Sequence, residues 1–597
     1  GRASLGAAAA AALLAEDERG AARELAALAR AGLIEPVRSG RYRVHDLVRA
    51  FAHARLHQEE EPGERGAAHE RLIRSYAELA DSVIRMVDGK TSTRAGRFVG
   101  GAAGGHGFTS LDAALRWLDD ESSFITATLR QTEGVDQSAV LHLLGALCDY
   151  CLLRGDLYRL GELSELTRAT DRGLLVRSVQ WRTGIAARQL GELDTSRTTL
   201  SSVVDLYFDA RHPAGAARAL RDLGVTMQHQ GNLREAADKL REALALQGGR
   251  ELSGDRAWTL HALGAVERDR GRIAQALDLL AEALELHRES ESLHGQAWAH
   301  FQLGQVRLRM GQVAAAESEL REALELYGRT QDGRGEAWAL TQLARARLVA
   351  GDAASAAEEL HRALARHREN EDARGEAWSL YYLGQSLEER GEPAAAVRAL
   401  ERARTMFNRM RDVYGLACAR HHAARVTRDQ RAAQTGSLRN SGFARQLLQD
   451  ARADFRRLDV AHGEGWSCVE LAVVDAGNGR AAPALELLEE AEGLFTGYGD
   501  RRGAAWARFL RCTLLPFASP GGSVVGSAVA REELAGLLRE LRAADWATDP
   551  PLEDCVETYA LMLERGIEPE AGWQAWRLGM VPSRRAREVM AVLPRGG

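Results

Sequence analysis

The chain has 597 residues, of which 45% are hydrophobic and 6% aromatic, and its formal net charge is −6 at pH 7. Because a single hydrophobic core stops growing at about 250–300 residues, this length predicts several domains or one open-ended stack. The charge provides no overall positive field for nucleic acid, and no apolar run approaches the roughly 18 residues of a membrane span, so we expect neither direct nucleic-acid binding nor membrane insertion.

Residues 1–60 form the first predicted unit, in which a short hairpin separates two helices. An amphipathic helix runs through ARELAALARAGLIEP, Gly40 forms the hairpin turn, and a second helix follows His45 and Asp46. This order of elements is typical of the C-terminal part of a winged-helix domain. The acidic EDE segment after the N-terminal apolar stretch argues against an export signal, so we expect a cytoplasmic location.

Residues 61–134 form a predicted helical linker. The segments RLIRSYAELADSVI and ALRWLDDESSFITATL have helical spacing of apolar residues, and a glycine-rich loop from Gly96 to Gly107 lies between them. Gly89-Lys90-Thr91 is similar to the end of a phosphate-binding loop, but Ile84 occupies the position where such a loop requires its first glycine. We therefore predict no nucleotide site here.

The dominant feature of residues 135–546 is a 40-residue period. Tryptophan recurs at this step, Leu-Gly follows five residues later, and another glycine comes eight residues after each leucine. Beyond that glycine, alanine, leucine and alanine recur at helical spacing. The recurring residues include Trp258, Trp298, Trp338 and Trp378, the turn glycines Gly191, Gly231, Gly271, Gly311, Gly351 and Gly391, and in one typical unit Ala276, Leu280 and Ala283.

This pattern predicts pairs of antiparallel helices. Leucine and alanine at positions i, i+4 and i+7 form an apolar stripe, and the turn glycine supplies the left-handed conformation that ends the first helix. Between one helix pair and the next, an aspartate lies three residues before the glycine of the Gly-x-Ala segment. There it can cap the first helix of the next pair, as at Asp332, Asp372, Asp412 and Asp500. Because one helix pair cannot bury its apolar face, we predict an all-α superhelical solenoid in which each pair contacts only its neighbours.

Two parts of the chain depart from the 40-residue period. Cys418 replaces the tryptophan in the unit that begins near Gly415, and the next tryptophan, Trp466, comes 48 residues later. We place the eight surplus residues in a protruding turn at Gln434–Gly442. Residues 547–597 are predicted to be capping helices with a polar outer face.

The Leu-Gly, turn-glycine and Ala…Leu…Ala series resembles the tetratricopeptide (TPR) signature, in units of 40 rather than about 34 residues. Two stretches outside the array resemble actinobacterial NB-ARC–TPR proteins of the STAND class, which are found among antibiotic-pathway regulators. Tyr42–Arg49 is similar to a Tyr-Arg-x-His-Asp-Leu-x-Arg stretch in their winged helix, and Trp117–Glu121 to a Trp-Leu-Asp-x-Glu stretch before their TPR array. The Phe124-Ile125 pair departs from the Asn-Leu usual in that family.

The resemblance to STAND proteins implies a role for His45 and Asp46. In that family the histidine faces the bound nucleotide and helps to hold the ADP-bound inactive state, with the aspartate beside it in the hinge. An alternative role for His45 is to cap the helix that follows. The resemblance implies ADP or ATP only together with an NTPase domain upstream, so we expect no cofactor in this chain.

The periodic tryptophans suggest a ligand or partner site. In TPR proteins these first-helix positions line a concave groove, where aromatic residues can bind a peptide, a protein partner or an effector. The candidate groove residues are Trp258, His261, Trp298, Phe301, Trp338, Trp378 and Tyr381. The alternative is packing between repeats, with the large rings filling the space left by alanine and glycine.

No set of residues has the spacing of a catalytic or metal site. The cysteine pair Cys148 and Cys151 has no second pair to complete a zinc site, and the adjacent His421 and His422 point to different faces of a helix. The resemblance to STAND proteins, together with this lack of a catalytic pattern, implies a non-enzymatic sensor arm of a STAND transcriptional regulator. A free-standing TPR scaffold is the alternative, and an enzyme with an unrecognised site is the third hypothesis.

Overall fold

The computed structural model describes residues 4–38, 40–88, 108–130, 132, 135–168, 173–435, 441–518, 522–543 and 550–566. These residues are mainly helical, with one small sheet near the N-terminus. The glycine-rich loop and Gly89-Lys90-Thr91 lie outside the described residues. No helix in the described ranges is long and apolar enough to cross a membrane.

The N-terminal part contains three strands and five helices. They are β1 (Leu5–Gly6), α1 (Ala7–Leu14), α2 (Glu18–Arg30), β2 (Ile34–Arg38), β3 (Arg41–Val44), α3 (Asp46–Glu59), α4 (Pro62–Asp88) and α5 (Leu111–Leu129). The antiparallel sheet has the order β1-β3-β2, with Leu5 opposite Tyr42 and Ile34 opposite Val44. The sequence predicted the β2–β3 hairpin but not β1, because a two-residue strand has no periodicity of its own.

Glu121 of α5 joins the sheet to the helices. Arg41 of β3 donates to its carboxylate from Nη2 at 3.2 Å, and the Tyr76 hydroxyl of α4 donates to the same oxygen at 2.7 Å. Trp117 stacks on Tyr76 with 5.8 Å between ring centroids. The Trp117–Glu121 motif therefore fixes the N-terminal sheet against α4 and α5.

Ten helical hairpins follow in the described part of the chain. The helix pairs are α6 (Gln137–Arg154) with α7 (Leu157–Arg168), α8 (Gly173–Gln189) with α9 (Leu193–Asp209), α10 (Pro213–Gln230) with α11 (Leu233–Ala245), α12 (Ser253–Asp269) with α13 (Ile273–Glu289), α14 (Leu293–Arg309) with α15 (Val313–Thr330), α16 (Gly333–Val349) with α17 (Ala353–Glu369), α18 (Ala373–Glu389) with α19 (Pro393–Met410), α20 (Val413–Thr435) with α21 (Gly442–Arg457), α22 (Ala461–Gly477) with α23 (Ala481–Tyr498), and α24 (Arg501–Ala518) with α25 (Gly522–Arg542). A short 3-10 helix, Arg250–Leu252, precedes α12, and α26 (Pro550–Glu564) follows the last pair.

The predicted stripe is the core of each hairpin. Ala276, Leu280 and Ala283 are all 0% exposed, as are their counterparts 40 residues further on. The aspartate caps are also confirmed, because Asp332 and Asp372 accept hydrogen bonds from backbone N–H groups three residues later, at 2.8 and 3.0 Å. Asp412 and Asp500 do the same, at 2.7 and 2.8 Å. Local sequence therefore determines where these first helices begin.

The irregular unit has a longer first helix than predicted. Helix α20 has 23 residues, whereas α18 has 17, because Arg431 occupies the position of the turn glycine and the helix continues to Thr435. The protruding turn predicted at Gln434–Gly442 is thus wrong at both ends, since Gln434 and Thr435 end α20 and Gly442 begins α21. Residues 436–440 lie outside the described ranges.

Successive turns of the superhelix touch one another. Gln331 donates to Asp112 at 2.7 Å, Arg234 to Asp459 at 3.2 Å, and the Tyr498 hydroxyl to a backbone carbonyl of α12 at 3.4 Å. These partners are 219, 225 and 230 residues apart, which is about five hairpins. The expectation that each hairpin contacts only its neighbours is therefore wrong, and the stacked turns enclose the concave face.

The turn glycines Gly271 and Gly351 provide a test of the contact between successive superhelical turns. Both have left-handed backbones, with φ of 82° at Gly271 and 91° at Gly351. A Cβ at Gly271 would lie 2.1 Å from the Tyr498 ring of the next superhelical turn, whereas one at Gly351 would meet nothing within 4 Å. Gly351→Ala should cost only backbone strain, about 1–2 kcal/mol of unfolding free energy.

Gly271→Ala should cost a further ~1–3 kcal/mol, because the added methyl group overpacks the contact with Tyr498. Urea unfolding of the two variants measures the difference, and each serves as the other's control for strain. Equal losses in the two variants would show that the superhelical turns do not press together at Tyr498.

Candidate functional site

The concave face of the superhelix forms a cavity of about 1210 Å³. Side chains of α4 and α6 line it, together with side chains from the first helix of each hairpin from α8 to α24. The predicted groove is thus the inner wall of a partly open cavity, which we call the lumen. Its volume lies somewhat above the roughly 300–1,000 Å³ typical of small-molecule sites.

All seven candidate groove residues line the lumen: Trp258, His261, Trp298, Phe301, Trp338, Trp378 and Tyr381. The four indoles differ in burial, since Trp338 and Trp378 are 8% and 7% exposed whereas Trp258 and Trp298 are half-buried. Each indole packs within the solenoid and also presents part of its surface to the lumen. The role of these residues in binding stays a prediction.

The packing partner of each indole is a ring on the second helix of the same hairpin. Trp298 meets Tyr327 with 5.3 Å between ring centroids, and Trp378 meets Phe407 at 5.1 Å. The equivalent rings in the two other hairpins are those of His287 and His367, at 5.0 and 5.2 Å. These four second-helix rings are not among the predicted groove residues, although they follow one another at the same step of 40 residues as the tryptophans.

The same rings explain the glycine three residues before Trp298, Trp338 and Trp378. A Cβ at Gly295 or Gly375 would lie 2.0 Å from the ring of His287 or His367 in the preceding hairpin, and one at Gly335 would lie 2.4 Å from the ring of Tyr327. Because those distances are far below contact distance, the first helix can approach the ring only where this position is glycine. The Gly-x-Ala-Trp motif is therefore a packing motif.

Asp372 connects the start of α18 to the lumen wall. Its carboxylate accepts from Trp338 Nε1 at 2.6 Å, from the Gly375 backbone at 3.0 Å and from Arg334 Nε at 3.2 Å. Burial raises the pKa of Asp372, but the charge of Arg334 and the hydrogen bonds outweigh burial and hold this pKa below its ordinary value. Asp372 is therefore ionised and ties Arg334 to the wall.

The next hairpin repeats only part of this arrangement. Arg374 Nε donates to Asp412 at 3.3 Å, but burial outweighs the arginine charge and raises the pKa of Asp412. Trp378 Nε1 is buried and has no hydrogen-bond partner in the described part of the chain. The Arg374 guanidinium carbon lies 5.8 Å from the centroids of both the Trp338 and Trp378 rings, which places Arg374 between the two indoles.

Several histidines of the lumen are buried and uncharged. Burial, followed by the charge of Arg268, lowers the pKa of His261 to about 3. Burial also lowers the pKa of His421, to about 4, and that of its neighbour His422. The His421 and His422 rings contact different partners, Ser467 Oγ at 3.2 Å and the Tyr381 hydroxyl at 2.9 Å. The positive charge of the lumen therefore comes from arginine.

His45 and Asp46 are not among the residues that line the lumen. His45 is the N-cap residue of α3, is exposed, and makes no side-chain hydrogen bond that caps the helix. Asp46 pairs with Arg49 on the same exposed helix. The structure thus does not support the capping alternative for His45, and its role in nucleotide sensing stays a prediction.

The six cysteines are buried and free, as their spacing indicated. Burial raises the pKa of the Cys148 thiol to about 12. Across the described ranges, no group of three or more His, Cys, Asp or Glu side chains could hold a metal ion. The absence of a catalytic site stays an expectation.

Residues 255–329 and 335–409 match the family model described as Tetratricopeptide repeat. Together with the stacked hairpins and their 40-residue period, this match confirms the prediction of a TPR solenoid. Among solved structures, a Rap protein complexed with Competence and Sporulation Factor has a TM-score of 0.41 and 14% identity, over 57% of this chain and 97% of that chain.

Part of the chain is homologous to two curated regulatory proteins. Regulatory protein AfsR of Streptomyces coelicolor is 33% identical over 205 residues, which cover 32% of this chain and 19% of the relative. Regulatory protein AfsR of Streptomyces griseus is 38% identical over 136 residues, which cover 21% of this chain and 13% of the relative. The matches thus span a fifth or less of the length of these regulators.

Proposed function

We propose that this chain is the sensing part of a larger STAND-type regulatory protein. In this proposal the lumen binds an effector or a protein partner and thereby controls a nucleotide-switch module outside this chain. The lumen, with its aromatic and arginine side chains, is the observation that carries the proposal. The partial homology to two AfsR regulators supports the regulatory role.

The N-terminal part is in a position to respond to the lumen. Ile84, Val87 and Asp88 of α4 line the cavity, and α4 also carries Tyr76, which binds Glu121. Glu121 holds Arg41 of the sheet. A ligand that shifts α4 would therefore move the sheet through one continuous set of packed and hydrogen-bonded groups.

Helix α3 is the surface that we assign to contact with the switch module. None of its residues is buried, and Leu47 and Phe51 are 85% and 66% exposed. Exposed apolar side chains of this size indicate a partner surface. We assign residues 1–60 to part of a winged helix, with His45 and Asp46 facing a nucleotide, ADP or ATP, held by that module.

Filling the lumen should change the ATP turnover of the full-length protein. Gln385 lines the lumen, so Gln385→Trp places a large ring where the ligand would lie. Typical coupling free energies between sites correspond to roughly 5–150-fold changes, so we expect a change of about tenfold in turnover or nucleotide affinity. Steady-state ATP hydrolysis and nucleotide titration measure it.

Arg398→Trp on α19 is the matched control, because Arg398 is exposed and does not line the lumen. This variant should behave like the unchanged protein. Identical turnover in both tryptophan variants would reject the proposed control by the lumen. A gene without an in-frame phosphate-binding loop upstream of this segment would instead select the free-standing TPR scaffold.

A further inference from the structure

Two arginines of the lumen have unused hydrogen-bond donors. Arg334 and Arg374 occupy the second position of α16 and α18, line the lumen, and have side chains that are 17% exposed. Each donates to one aspartate through Nε, and their Nη groups have no hydrogen-bond partner in the described part of the chain. Because a guanidinium carries five N–H donors, four on each side chain remain for a ligand.

The opposite wall brings further positive charge to the same place. Arg188 of α8 and His229 of α10 also line the lumen. Burial, followed by the charges of Arg374, Arg188 and Arg334, lowers the pKa of His229 well below its ordinary value. The three guanidinium groups and the imidazole all line the same cavity, and they come from four different hairpins.

Fewer carboxylates than arginines line the lumen itself. The described lining contains ten arginines against six aspartates and one glutamate. Asp222 is shared by Arg188 at 3.2 Å and Arg221 at 2.7 Å, and Asp269 is shared by Arg268 at 2.8 Å and Arg309 at 3.3 Å. Arg334, Arg374 and Arg425 pair with Asp372, Asp412 and Glu388, which lie outside the lining. Because Asp222 and Asp269 each serve two arginines, an anion in the lumen would still relieve repulsion between arginines as well as accept hydrogen bonds.

We propose that the lumen binds a small acidic molecule, whose carboxylate or phosphate group accepts hydrogen bonds from the free Nη donors of Arg334 and Arg374. The fork of N–H groups on a guanidinium matches the paired oxygens of both anions. The half-buried Trp298 and the inner edges of Trp338 and Trp378 provide apolar contacts for the rest of the molecule. This inference rests on the proposed function and names the class of effector.

Binding of citrate and of inorganic phosphate to the whole chain tests the site. Titrations at constant ionic strength, followed by tryptophan fluorescence and calorimetry, should show saturable binding of at least one of the two. Tighter citrate binding would indicate a carboxylate ligand, and tighter phosphate binding a phosphorylated one. In Arg334→Gln/Arg374→Gln, affinity should fall about tenfold or more, because charge-assisted hydrogen bonds are lost.

Two further variants separate binding from folding. Arg374→Gln/Asp412→Asn removes both members of a buried ion pair while asparagine can still cap α20, so it should fold and still lose affinity. Arg321→Gln removes a 63% exposed arginine on α15 and should leave affinity unchanged. No saturable binding, or binding that is equal in all variants, would overturn the inference.

The outcome also separates this inference from the proposed function. If neither anion binds but Gln385→Trp still alters ATP turnover, the acidic-ligand inference is wrong and lumen control stands. If the anions bind through Arg334 and Arg374 but Gln385→Trp has no effect on turnover, the site is real and the proposed control is wrong.

Discussion

Replacing Trp378 with alanine should lower the free energy of unfolding by about 3–5 kcal/mol, the usual cost of removing a buried tryptophan. The indole is only 7% exposed, and its ring centroid lies 5.1 Å from that of Phe407 and 5.3 Å from that of Tyr381. Alanine leaves a cavity that the rigid backbones of two helices cannot close. Urea unfolding followed by far-UV circular dichroism measures the loss.

Trp298→Ala is the matched comparison, because Trp298 occupies the equivalent position two hairpins earlier and is half-buried. Its ring also packs on a second-helix ring, that of Tyr327 at 5.3 Å, so the chemistry of the contact is similar. Since less of the indole is removed from water, its loss should be smaller. A loss as large as that of Trp378→Ala would show that exposure to the lumen does not reduce the packing role.

The contacts between superhelical turns change how such a loss should spread. In a solenoid with neighbour contacts alone, destabilisation stays in adjacent repeats and unfolding becomes multistate. Here hydrogen bonds join hairpins about 220 residues apart, such as Gln331 with Asp112. We therefore expect hydrogen exchange in Trp378→Ala to increase in neighbouring hairpins and also at the α8–α9 turn of the adjacent superhelical turn, where Gly191 packs on Met410 at the end of α19.

Breaking the buried Arg182–Asp149 ion pair should also cost about 3–5 kcal/mol of unfolding free energy. Arg182 donates to both oxygens of Asp149, from Nε at 3.0 Å and from Nη2 at 2.8 Å, and both side chains are at most 3% exposed. Arg182→Met removes the guanidinium and leaves a buried carboxylate without its positive partner. Thermal and urea unfolding of the variant give the loss.

The double variant Arg182→Met/Asp149→Leu controls for the loss of the charge itself. Two apolar side chains of similar volume need no charge partner, so the double variant should be more stable than Arg182→Met. The double-mutant cycle, completed with Asp149→Leu, measures the coupling between the two side chains. If the double variant is less stable than each single variant, the attraction between the two charges outweighs the free energy needed to remove them from water. That result would contradict the expectation.

The hairpins could be predicted from sequence because their determinants are local. Ala276, Leu280 and Ala283 form one helical stripe, Gly271 adopts the left-handed turn, and Asp332 caps the helix that follows it. Each of these features depends on residues within one helical turn of each other, so spacing alone reveals it. The extended α20 follows the same logic, since Arg431 adopts the left-handed turn conformation less readily than glycine does.

The lumen depended on tertiary structure. Small rotations between successive hairpins add up over about five units, and only their sum brings Tyr498 against α12 and Arg154 against Gln331. No local pattern encodes that sum, because each rotation depends on how side chains of two hairpins pack. The sequence by itself therefore determined the helices, their turns and the residues on the inner face, whereas only the stacking of superhelical turns decided that this face surrounds an arginine-rich cavity.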